Sequence, residues 1–215
     1  RQIIVSVTNA TYGTTSNEAL STIHVAVNDA PVNTLAASYT TAEDATLNLT
    51  GLSVADVDAG AGVITVTLSV DGGTLTSAGN ATVTASGSGT NALTLTGTLA
   101  NINLLLASTT ATIRPQFVPT PDFNGTVTLT MTTDDGGNTG LGGPLADIDT
   151  RTITVTAVND RPDLAVPATI TVTEDLASPI TGIVFSDIDV GTGAVIATLA
   201  VPTGALSATS GSGVT

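Results

Sequence analysis

The sequence predicts an all-β fold, a tandem array of Greek-key β-sandwiches with a period of about 131 residues, and three observations predict it. First, Val27-Asn28-Asp29-Ala30-Pro31 returns as Val158-Asn159-Asp160-Arg161-Pro162. The same ungapped shift lays Glu43-Asp44 on Glu174-Asp175, Thr50-Gly51 on Thr181-Gly182 and Asp56-Val57-Asp58 on Asp187-Ile188-Asp189. A fixed-period match that keeps acids, glycines and apolar residues in register marks an internal repeat. Second, nearly every ordered stretch alternates apolar with polar residues and is rich in Val, Ile and Thr, as half-buried strands are. Third, Gly, Asn and Asp interrupt these stretches at short intervals, as in a sandwich of strands joined by turns.

The period divides the chain. Residues 1–27 read as the closing strands of a preceding unit, because Ile23 to Asp29 echoes Ile153 to Asp160 with one residue fewer. Residues 28–158 form a complete sandwich, and residues 159–215 the opening part of the next.

Strands are expected at Ile3 to Val7 and Ile23 to Val27, joined by the polar segment Asn9 to Ser21. Within the complete unit, Ser38 to Ala42, Leu47 to Leu52 and Val63 to Val70 alternate as strands. Asp71-Gly72-Gly73 reads as a hairpin turn. Short strands follow at Ala81 to Ala85 and Ala92 to Thr96. Leu99, Ile102 and Leu106 fall at helical spacing, which predicts a turn or two of helix capping one end of the sandwich, with a further strand as the alternative. Extended structure resumes at Thr110 to Pro115, and Arg114 to Pro121 reads as an insertion. The last strands are Val127 to Thr133 and Thr152 to Val158, separated by a long loop from Asp134 to Arg151 in which Asp147 and Asp149 are solvated.

Eighteen acidic residues face four arginines and no lysine, for a formal net charge of -14. Nucleic acid and anionic membranes are poor partners for such a chain, and divalent cations are good ones. No apolar run approaches the length of a membrane span. Cysteine is absent, which excludes disulfides and thiolate metal sites. With three Phe, two Tyr and no Trp, the core must be aliphatic and thin, a composition that bound ions would supplement. The single histidine, His24, alternates onto a strand face and has no nucleophile or metal-ligand pattern around it, so the chain is expected not to be an enzyme.

Strand parity sorts the acids into two groups. If the first strand starts at the linker, Glu43 and Asp44 lie at its far end, and the second strand returns Asp56 and Asp58 to the near linker. The near cluster is then Asn28, Asp29, Asp56, Asp58 and Asp134 or Asp135. The far cluster is Glu43, Asp44, Asp122, Asn159, Asp160, Asp187 and Asp189, with Glu174 repeating Glu43 one period on. Clustered carboxylates repel one another unless a hard cation with six to eight oxygen ligands joins them, which points to Ca2+.

Val27 to Pro31, Glu43-Asp44, Asp56 to Gly60, Gly97-Thr98-Leu99-Ala100-Asn101-Ile102, Asp122-Phe123-Asn124-Gly125 and Asp134 to Gly140 together resemble the cadherin-like tandem repeats of giant bacterial surface adhesins, a group that includes RTX-type biofilm adhesins and VCBS repeats. The resemblance implies a cadherin- or Ig-like sandwich, and calcium held between domains by the Asn-Asp-x-Pro linker and an Asp-x-Asp loop. It further implies an extracellular, cell-surface extender whose partners are neighbouring repeats of its own chain; other copies of the protein are partners where the repeats pack laterally between chains. Two other readings stay open: the subunit of a filament, sheath or surface layer, and a glycan-binding module. The last would need an aromatic platform from among Tyr12, Tyr39, Phe117, Phe123 and Phe185.

Overall fold

The computed structural model describes residues 27–138, 140–208 and 211, and the backbone of residues 2–5, 8–9, 14–15 and 19–22. The chain divides into two compact units, Arg1–Val158 and Asn159–Thr215. In the first, β1 (Gln2–Val5) pairs antiparallel with β4 (Ala19–Thr22), and β2 (Thr8–Asn9) pairs with β3 (Thr14–Thr15). The segment expected to be a polar connection, Asn9 to Ser21, therefore supplies strand residues. His24, Tyr12 and most of the expected strand at Ile23 to Val27 lie outside the described residues; Val27 itself forms a parallel bridge with Leu141.

The body of this unit is mostly strand: β5 (Val32–Thr34), β6 (Tyr39–Ala42), β7 (Leu47–Asn48), β8 (Ser53–Ala55), β9 (Val63–Val70), β10 (Thr74–Thr76), β11 (Thr84–Ser86), β12 (Ala92–Thr98), β13 (Gln116–Val118), β14 (Gly125–Asp134) and β15 (Ala146–Thr156), with one helix, α1 (Leu99–Leu106). Six strands form one sheet in the order β11-β12-β9-β14-β15-β6. Its pairings are antiparallel except the last, where β15 and β6 run parallel with Ile153 opposite Tyr39. A second sheet has the order β10-β13-β7, and β5 pairs with β8. The architecture is sandwich-like and all-β apart from the helix.

Alternation explains the core. In β9 the side chains of Ile64, Val66, Leu68 and Val70 turn inward while Thr65, Thr67 and Ser69 turn out. Leu93, Leu95, Val127, Leu129, Met131, Ile153 and Val155 join them from the same sheet, and Leu49, Leu75 and Phe117 meet them from the opposite side. Helix α1 closes the core with Ile102, Leu105 and Leu106, all buried. Thr98 caps its start by accepting the Asn101 N–H, and Asn103 clips the helix to β8 by accepting the Val54 N–H at 2.9 Å and donating to the Val54 carbonyl at 2.8 Å.

Four sequence expectations change. Asp71-Gly72-Gly73 is not a hairpin turn, because β9 and β10 join different sheets; the turn crosses between layers, and Asp71 accepts the Thr128 N–H at 2.7 Å. The Thr110 to Pro115 stretch turns rather than extends, with the N–H groups of Ile113 and Arg114 both donating to the Thr110 carbonyl. The segment read as an insertion carries β13, whose Phe117 is fully buried. The loop expected from Asp134 to Arg151 ends early, since β15 starts at Ala146 and continues the pairing with β14. Asp147 is thus a strand residue, accepting the Asn33 N–H at 2.7 Å while its carbonyl accepts the Asn33 amide at 2.9 Å.

In the second unit, β16 (Asp163–Ala165) pairs antiparallel with β17 (Val184–Ser186). Asp163 lies opposite Ser186 and Ala165 opposite Val184, the register in which Val32 lies opposite Ala55 and Thr34 opposite Ser53. Small features recur as well. Gly62 donates to the Ala59 carbonyl and Gly193 to the Val190 carbonyl, while Gly60 and Gly191 both have positive φ, at 53° and 49°. An open apolar cleft of about 1020 Å³ is lined by residues that include Ile180, Ile183, Phe185, Leu199, Val201 and Leu206. The residues one period earlier, Leu49, Leu52, Val54, Leu68, Val70 and Leu75, are all buried core.

Candidate metal centre at the linker corner

The Asp-x-Asp stretch is shaped by its own side chain. Asp56 Oδ1 accepts the N–H groups of Asp58 and Ala59, each at 3.0 Å, so the chain folds into a tight turn that ends at Gly60. Val57 between them is 85 % exposed and adds nothing to the buried core. Asp58 Oδ2 in turn accepts the Asp29 N–H at 3.1 Å, which brings the turn against the linker. Asp56 Oδ2 is buried with no hydrogen-bond partner. A buried carboxylate oxygen in that condition is costly without a cation or donor.

Beside it, Asn28 is buried and donates its amide to Asp135 Oδ2 at 2.6 Å and to the Gly143 carbonyl at 3.0 Å. Asp135 Oδ1 accepts from Gly137 at 2.7 Å and Leu145 at 2.8 Å. Burial pushes the Asp135 carboxyl up, but the Leu145 and Gly137 N–H groups and the Asn28 amide outweigh it and hold the group below the ordinary carboxylate range. Both of its oxygens are taken by protein donors, so Asp135 fastens the loop after β14 to the linker. Its neighbour Asp134 turns outward and accepts from Gly136 at 2.7 Å within its own turn. Of the two alternatives read from the sequence, Asp135 is the one that reaches Asn28.

Glu43 sits at the end of β6, 2 % exposed. Its Oε1 accepts the Val158 N–H at 2.6 Å, its backbone N–H donates to the Thr156 carbonyl at 3.1 Å, and its Oε2 is buried without a hydrogen-bond partner. Asp44 and Pro121 share with Glu43 the wall of a shallow cleft of about 210 Å³. Asp122 follows Pro121 in an exposed turn at φ 58°.

The second unit repeats the linker corner. Asp187 Oδ1 accepts the Asp189 N–H at 3.0 Å, Asp189 Oδ2 accepts the Asp160 N–H, and Asn159 donates its amide to the Asp160 carbonyl at 2.9 Å. Glu174, the counterpart of Glu43, is exposed. The polar ties that sequence reasoning missed are Asn33 with Asp147 and Asn103 with Val54. Each is an asparagine at an inward or helix-face position, where its side chain can clip a neighbouring backbone. Among the described residues no helix is long and apolar enough to cross a membrane. No family model, curated protein or solved structure matches the chain.

Proposed function

We propose that this chain is a non-enzymatic spacer of tandem Greek-key, cadherin-like sandwiches from a bacterial cell-surface adhesin, and that each repeat binds calcium at the acidic corner where it begins. The observation that carries the reading is the recurrence of one arrangement: Asp56, Asp58 and Asp29 in the first unit and Asp187, Asp189 and Asp160 in the second make the same bonds. Turn-borne aspartates can recur for local reasons, but the orphaned Asp56 Oδ2 fits a cation and not a turn. The donor set is all hard oxygen, as calcium requires and as a thiolate or imidazole metal does not. The matching register of β5 with β8 and of β16 with β17 supports the repeat, and so does the correspondence between cleft residues in one unit and core residues in the other. The partners are neighbouring repeats of the same chain, and the setting is extracellular.

Thermal unfolding in calcium and in chelator tests the reading. A cation that binds the folded form alone stabilises it by about 2.7 kcal/mol per site at a hundred times its dissociation constant. For a domain of this size that raises Tm by about 10 °C. Asp56→Asn with Asp58→Asn should abolish the shift of the first unit's transition, followed at the buried Met131, and Asp147→Asn should keep it. Equal melting temperatures in calcium and chelator would overturn the calcium role.

A further inference from the structure

The outward face of the six-stranded sheet is nearly free of charge and clad in threonine. Thr94, Thr67 and Thr132 lie side by side across β12, β9 and β14, with Thr96 and Thr65 in the next row and Thr130 beside Ser69. The Thr67 and Thr94 hydroxyls are 3.4 Å apart. Strand β15 extends the pattern with a threonine at every second position from Thr150 to Thr156. Among the outward positions of these four strands the one charged residue is Asp134, at the end of β14.

We propose that this threonine face is a self-association surface, which packs against the same face of a second copy of the chain. A chain of formal net charge -14 repels its own copies wherever carboxylates face one another, and screening removes that repulsion only beyond about 8 Å at physiological salt. Away from Asp134, at the end of β14, two copies can meet on this sheet face without burying a charge. Threonine suits such a contact, because its methyl group packs between neighbours and its hydroxyl can exchange hydrogen bonds across the seam. The area sets the strength. Four long strands about 4.8 Å apart, each contributing about eight residues at roughly 3.4 Å, cover on the order of 500 to 600 Å² per copy. Both copies together bury about 1,000 to 1,200 Å², the lower limit for a specific interface. The pairing is therefore weak, symmetric and concentration-dependent. It is independent of the calcium reading.

Analytical ultracentrifugation of the full chain in chelator, from micromolar to millimolar protein, tests it. The expected result is a sedimentation coefficient that rises with concentration. Thr67→Glu with Thr132→Glu should weaken association by about tenfold or more, because the introduced charges face their own copies. Circular dichroism must stay unchanged for that comparison. A second variant reads the contact without adding charge: the chain has no cysteine, so Thr67→Cys should be joined into dimers by a bis-maleimide linker long enough to span the face, and Thr109→Cys, on the exposed loop after α1, should not. A chain that stays monomeric at millimolar concentration overturns the proposal. So does a folded glutamate variant that associates like the parent, which would move the contact to another surface such as the apolar cleft of the second unit. Cross-linking that is absent at Thr67→Cys, or equal at both positions, overturns it as well.

Discussion

Asp135→Ala should be among the most destabilising polar substitutions in the first unit. The side chain is 1 % exposed and accepts three hydrogen bonds, from Gly137, Leu145 and the Asn28 amide. Alanine strands two backbone donors and one amide donor in a buried site. Each hydrogen bond to a charged acceptor contributes about 1.5 to 3 kcal/mol, and each stranded donor costs about 1 to 3 kcal/mol before water relaxes into the gap. A net loss of about 3 to 5 kcal/mol follows, a large share of the roughly 5 to 15 kcal/mol that holds a domain together. Asp135→Asn keeps an oxygen for Gly137 and Leu145 but sets its amide against that of Asn28, so about 1 to 2 kcal/mol is expected. Urea unfolding followed by the methyl resonance of Met131, the only methionine and fully buried, measures the first unit alone. With m near 2 kcal/mol/M, the alanine variant should lower the midpoint by about 2 M. A midpoint change worth less than about 0.5 kcal/mol would refute the pinning role of the carboxylate. The folded pKa of Asp135 is depressed, so its contribution is fully present above the unfolded value of about 3.9 and is lost as pH falls through the folded one. The gap between parent and Asp135→Ala should therefore hold from pH 5 to 8 and close in stronger acid, as the same titration repeated at each pH would record.

Other substitutions test the packing. Phe117→Ala removes a fully buried ring that joins the two layers and should cost about 3 to 5 kcal/mol by the same urea assay. Asn103→Ala strands both the N–H and the carbonyl of Val54, so a loss of about 1 to 3 kcal/mol is expected, with faster amide exchange at Val54 as its local signature. Gly73→Ala meets two obstacles, a φ of 76° and a Cβ that would lie 2.5 Å from the Val118 carbonyl oxygen. It should destabilise by more than the roughly 1 kcal/mol that left-handed backbone alone costs a non-glycine residue, and a midpoint equal to the parent's would mean that β13 moves aside.

Alternation and helical spacing were legible because they are local. The strand of Val63 to Val70 and the helix of Leu99 to Leu106 stand where their apolar periods place them. Alternation tells which face a side chain takes; it does not tell which strand lies beside it. That is why the sequence at Asp71 reads as a hairpin although the turn crosses between sheets. Pro115, Pro119 and Pro121 hid β13, since three prolines in seven residues mask a strand only three residues long. At the linker corner the signal for Asp135 was present. Val127, Leu129, Met131 and Thr133 all turn inward, and one more step of the same period selects Asp135 over Asp134. Asp147, Asp149 and Arg151 hid the first half of β15, because polar residues take the inward positions there and the apolar pattern begins only at Ile153.

The contacts of the first unit's leading segment share one offset. Val27 bridges Leu141, Asn33 is bound to Asp147, and Tyr39 lies opposite Ile153, each 114 residues apart, and the bridge at Val27 and the ladder at Tyr39 run parallel. A pull on the linker before β5 drags this segment toward its own beginning, while a pull on the chain after Val158 drags β15 toward its end. In a parallel seam these two pulls oppose each other along the strand axis. The bonds at Asn28, Asn33, β6 and Glu43 are then loaded in shear and must fail together, whereas an antiparallel pair pulled from the same two ends would open one rung at a time. The direction of one short strand thus decides that tension along the chain meets the first unit in shear.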